Sequence, residues 1–83
     1  MELKDTVELM NSEDYKDRFK AEYLQTKIRC EKLHMMLVKL DAGMLEFAIT
    51  CPAINLKQQE RAMQEYLKTL EIRAVIEGID LTV

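Results

Sequence analysis

Tryptophan is absent from this chain, and only two glycines and one proline occur among its 83 residues. So few turn-formers leave room for long helices and little else. Cysteine occurs twice and histidine once, too few for a disulfide framework. No glycine-rich phosphate loop, HExxH, Ser/His/Asp set or CxxC is present. No catalytic centre is therefore expected, and no cofactor or metal. Positive charge is not in excess: Lys and Arg total 12 against 15 Asp and Glu, a net charge of −3. That argues against a nucleic-acid polymer as partner, because such a partner needs a basic face. No uncharged run approaches the roughly 18 residues of a membrane span. The opening MELKDTVELMN carries charge at Glu2, Lys4, Asp5 and Glu8 and does not read as a signal peptide.

What is there is a folding sequence, 48% hydrophobic and 33% charged, of a size for one small domain. Leu3, Val7 and Met10 recur at helical spacing, which predicts a short amphipathic helix over residues 2–10. NSED breaks it, with Asn11 or Ser12 as cap for a long helix over residues 13–41, stopped at Gly43. A loop over 43–53 follows. Leu45, Phe47 and Ile49 alternate in it, which predicts a short extended piece folded back over the hairpin's apolar end. Pro52 ends the loop, and a second long helix spans 54–77, closed by Gly78. The predicted fold is all-α: an antiparallel helical hairpin with a short N-terminal helix. Cys30 falls mid-helix and Cys51 in the loop. The helical stretch from Cys30 to Leu40 alone covers about 15 Å, beyond the roughly 7 Å a disulfide tolerates. Reduced thiols in a cytoplasm are the expectation.

One face of the first long helix changes character along its length. From Leu33 through Met36, Leu37 and Leu40 it is apolar; before Leu33 it carries Glu22, Tyr23, Thr26 and Arg29. The second helix runs Leu56, Met63, Leu67 and Leu70, then Arg73 and Glu77. Setting Leu40 opposite Leu56 brings Cys30 to Tyr66, Tyr23 to Arg73 and Phe19 to Glu77. Both helices thus turn polar at the open end of the hairpin. Two readings of that end stand. It is a salt-bridge network, Glu22 with Arg73 and Glu77 with Arg18, that fixes register. Or it is a ligand pocket. Arg18, Arg29 and Arg73 present forks suited to phosphate. Tyr15, Tyr23 and Tyr66 offer faces for a base, and Glu22 and Glu77 orient the arginines or accept from ribose hydroxyls.

Other features read as ordinary structure. Cys30 and His34, four apart on one face, are two ligands and not a zinc site. The six methionines are adaptable core filler or a binding surface. Lys16, Lys20, Lys27, Lys32 and Lys39, mixed with Asp17, Glu31 and Asp41, form a solvated face. A two-helix layer leaves Leu24, Ile28, Met35 and Val38 unpartnered, which predicts a homo-oligomeric bundle with these residues at its interface.

The stretches LMNSEDYKDRFKAEYLQTKIRCEKLHMML, DAGMLEFAITCP and YLKTLEIRAVIEGIDL together resemble a family of small phage proteins catalogued as relatives of a crAss-like phage product. RFKAEY (18–23) and LEIRAVIEG (70–78) carry the resemblance most specifically, and both lie at the polar end. The resemblance implies a phage gene expressed in the bacterial host cytoplasm, and no enzyme. In size, architecture and placement of Arg and Tyr the chain is also similar to phage sponges that sequester CBASS and Thoeris immune nucleotides. Those are compact helical hairpins that oligomerise around polar pockets. The expected function is non-catalytic sequestration of a small phosphate-bearing nucleotide, a cyclic nucleotide or an ADP-ribose derivative. The other reading is a small adaptor or inhibitor that binds a host or phage protein through its Met-rich and loop surfaces.

Overall fold

Asp14 starts the first long helix, its side chain accepting from the Lys16 amide at 2.9 Å. Ser12, an expected cap, acts one step earlier. Its Oγ accepts from the Asp14 amide at 3.1 Å and donates to Asp17 at 2.8 Å. In the computed structural model, which describes all residues, Met1–Val83, helix α2 runs Tyr15–Asp41 and helix α3 runs Ala53–Glu77. Before them come a 3₁₀ turn, Leu3–Thr6, and one α-helical turn, α1, Val7–Met10. The fold is all-helical, with α2 and α3 packed as a hairpin and the N-terminal segment laid against α2.

Gly78 ends α3 with φ of 69°, a left-handed conformation open to glycine at no steric cost. The turn lets the Ile79 amide donate to the Ala74 carbonyl at 2.8 Å and carries Ile79 into the core. Lys16 Nζ lies 3.5 Å from the Gly78 carbonyl, a cation at the negative end of α3.

The N-terminal segment buries a different face from the expected one. Val7 and Met10 are exposed, while Thr6 is fully buried and Leu3 and Leu9 are half-buried. A 3₁₀ turn has three residues per turn, which aligns Leu3, Thr6 and Leu9 inward. Thr6 is tolerated there because its hydroxyl donates to the Leu3 carbonyl at 2.7 Å and accepts from Gln25 Nε2 at 2.8 Å. The loop 43–52 forms no strand. Leu45 and Ile49 are half-buried, but Phe47 is exposed. Leu45 and Phe47 turn back along α2 towards Met35 and Met36, where a groove of about 450 Å³ opens.

Five side-chain bonds between α2 and α3 fix the register. They are Asp41–Lys57 at 3.2 Å, His34–Glu60 at 2.8 Å, Tyr23–Glu71 at 2.6 Å, Tyr15–Glu77 at 3.0 Å and Tyr15–Arg73 at 2.7 Å. At the open end α3 is displaced from the expected pairing: Tyr23 meets Glu71, and Arg73 reaches past it to Phe19.

The core also sits at the unexpected end. Phe19, Tyr23, Leu24, Leu70, Ala74 and Ile79 form it, with Leu9, Leu67 and Leu81 packed around them. The N-terminal segment and the tail after Gly78 add a third layer there. Towards the loop the hairpin is two helices only. Of the residues that made that end look apolar, Leu37 is buried and Leu33, Met36, Leu40 and Leu56 are only half so.

Candidate ligand-binding site

Tyr15, Arg18, Phe19 and Glu22 stand at positions i, i+3, i+4 and i+7 of α2, so their side chains share one face. Across the groove α3 presents Tyr66, Arg73 and Glu77 by the same rule. Tyr15, Arg18, Phe19, Glu22 and Arg73 line a depression of about 280 Å³.

Its floor is the Phe19 ring, buried in the core, with the Arg73 guanidinium carbon 4.8 Å from the ring centroid. Arg73 is held from two further sides. One terminal nitrogen donates to the Tyr15 hydroxyl at 2.7 Å, and Nε donates to Glu77 Oε2 at 3.2 Å. The Tyr15 hydroxyl in turn donates to Glu77 Oε1 at 3.0 Å, closing a ring of three side chains. The bond to Glu77 raises the Tyr15 phenol above its ordinary pKa, with burial adding to it. A phenol so held stays protonated at neutral pH. Two of the Arg73 donors are engaged; the remaining N–H groups have no partner in the chain.

Arg18 makes one bond, from a terminal nitrogen to the Ser12 carbonyl at 2.9 Å, and pairs with no carboxylate. The expected pairs Glu22–Arg73 and Glu77–Arg18 do not form. Arg73 takes Glu77 within its own helix instead, because the two are four residues apart on one face. Glu22 makes no ion pair and lies beside Tyr66. Burial, then the neighbouring Glu22 carboxylate, push the Tyr66 phenol up.

Two of the eight residues singled out from sequence stand apart. Tyr23 is 6% exposed and belongs to the core, on the opposite flank of α2 from the depression, with Lys27 Nζ 5.8 Å from its ring centroid. Its ring faces are spent on packing, so it offers no platform to a base. Arg29 is exposed and does not line the depression. Tyr15, Arg18, Glu22, Tyr66, Arg73 and Glu77 are brought together along one groove. Phe19 was missed as a site residue. The sequence set it opposite Glu77 without giving it a role, and it is both core and floor.

On the other flank, His34 Nδ1 lies 2.8 Å from Glu60 Oε2, and Cys30 is buried beside it. Burial first, then the Glu60 and Glu31 carboxylates, push the Cys30 thiol up. No group of three or more His, Cys, Asp or Glu is placed to hold a metal ion. No helix is long and apolar enough to cross a membrane.

A family model described as Sequestin matches residues 13–76. The matched stretch spans both long helices up to the last residue of α3 and includes every groove residue except Glu77. The resemblance to a crAss-like phage product gains no support from this match. No curated protein and no solved structure matches the chain.

Proposed function

The chain belongs to the Sequestin family, whose name describes a sequestering protein, and from that premise we propose that it captures a small phosphate-bearing nucleotide without altering it. The ligand class is a bacterial immune signal, a cyclic nucleotide or an ADP-ribose derivative, and the setting is a phage-infected cell's cytoplasm. The observation that carries this reading is the preorganised Arg73. Its guanidinium is clamped between Tyr15, Glu77 and the Phe19 ring, with unspent donors and an unpaired Arg18 beside it. A fixed fork binds phosphate oxygens with little ordering cost.

Arg18 and Arg73 take the phosphate. Tyr66 and the outer face of Tyr15, both over two-fifths exposed, take the base. Glu22 accepts from ribose hydroxyls, a role open to a carboxylate that has no cation of its own. On this reading the Tyr15 phenol, held protonated against Glu77, and the Arg73 fork bind the ligand and release it unaltered.

Calorimetry against a panel of cyclic dinucleotides and ADP-ribose derivatives tests this. A sponge competes with an effector, so a sub-micromolar Kd is required, about −8 kcal/mol or better. Added salt should weaken it, and heating should release the ligand intact. No member of the panel binding more tightly than about 100 μM, roughly −5.5 kcal/mol, would sink the proposal. A cleaved ligand would make the protein an enzyme. The Met35–Phe47 groove, lined largely by apolar side chains, favours the adaptor reading in the first of those cases.

A further inference from the structure

Ile72, Val75 and Ile76 occupy the side of α3 that faces away from the hairpin. They are 52%, 85% and 78% exposed. At spacings of three and four they form one contiguous strip. Three branched aliphatics on the outer face of a helix bring the hairpin no packing within one chain, and such patches mark contact surfaces.

The whole molecule is short of burial by a matching amount. A folded monomer of 9.7 kDa should expose about 5,100 Å²; this chain exposes 6062 Å². The excess, roughly 900 Å², is close to the share of about 800 Å² that each partner contributes to a standard interface. The radius of gyration, 14.9 Å, likewise exceeds the roughly 12 Å of a compact chain of this length.

We infer that the occupant of this strip is a second copy of the chain, packed α3 against α3 about a two-fold axis with Ile72, Val75 and Ile76 of each copy at the seam. The nearby acids do not compete for that seam: Glu77 is turned into the ligand groove with Arg73, and Asp80, past Gly78, is bonded to Thr82. The strip expected from sequence serves less well, because Leu24 and Ile28 are already buried, with the N-terminal segment lying against α2. Ile76 is three residues from Arg73 and so its neighbour on the helix surface, which sets the second copy beside the open side of the depression.

Light scattering coupled to gel filtration tests the dimer without any ligand, so its outcome is independent of the sequestration reading. The wild type should run at twice the chain mass at micromolar concentration. Ile72→Glu with Ile76→Glu, both at exposed positions, should run as a monomer with its helical circular dichroism unchanged. A monomeric wild type at 100 μM (about a hundred times a micromolar Kd) overturns the inference. A double-Glu variant that stays dimeric overturns the choice of face.

Discussion

The Tyr23 hydroxyl donates to Glu71 at 2.6 Å from within the core, and burial, then this bond, push its phenol up to about 12. An unfolded tyrosine titrates near 10, so the folded chain holds this proton more tightly than the unfolded one. The resulting stabilisation is complete below about pH 10 and is lost as pH rises towards 12, amounting to about 2–3 kcal/mol. Urea denaturation of wild type and Tyr23→Phe at pH 8.5 and 11.5 should show the wild type losing roughly 2 kcal/mol more; equal losses would show that the phenol titrates normally. At the groove, Arg73→Ala or Arg18→Ala should weaken nucleotide binding by roughly ten- to hundredfold, the usual effect of losing a charge-assisted bond. Arg29→Ala, outside the depression, should leave the affinity within about twofold; a tenfold loss on titration would place the phosphate elsewhere. Helical spacing brought Tyr15, Arg18, Glu22, Tyr66, Arg73 and Glu77 to one end. It could not separate Tyr23 from Glu22, because adjacent residues diverge by about 100° and only the position of α3 decides which of them is covered.

Among the elements, the two long helices and their glycine stops were legible, since periodicity, Gly43 and Gly78 are local signals. Three features were not. Thr6 is buried through a 3₁₀ turn whose three-residue repeat differs from the pattern sought. The loop's alternation of Leu45, Phe47 and Ile49 has no neighbouring strand to pair with, and so gives an irregular segment. Ile79 and Leu81 follow the last helix, where no period flags them, yet they pack on the core. Gly78 is the hinge on which that packing depends. An added Cβ would meet nothing within 4 Å, so Gly78→Ala pays only the left-handed backbone penalty, about 1–2 kcal/mol. Leu70→Ala, at 1% exposure, should cost about 3–5 kcal/mol by loss of contact and cavity formation. Chemical denaturation that ranked Gly78→Ala above Leu70→Ala would mean that the tail, not the hairpin, dominates stability.

At the scale of the whole molecule, 43 × 24 × 19 Å, packing is unequal from end to end. A dimer through α3 makes the melting temperature rise with protein concentration, and a melting temperature unchanged over a hundredfold dilution would speak against it. The three-layer end and the two-layer end should also open at different rates. Amide hydrogen exchange should be slowest around Leu70 and Ala74 and fastest from Met44 to Lys57, because local opening follows the number of buried contacts it breaks. The ligand groove lies on the slow end, with Phe19 as both its floor and part of that core. A captured nucleotide would therefore sit on the segment that unfolds last, and the breathing of the loop end would not release it. Escape would have to wait for the ligand's contacts with the groove to break, which makes residence time a property of Arg18 and Arg73 and not of the fold's flexibility.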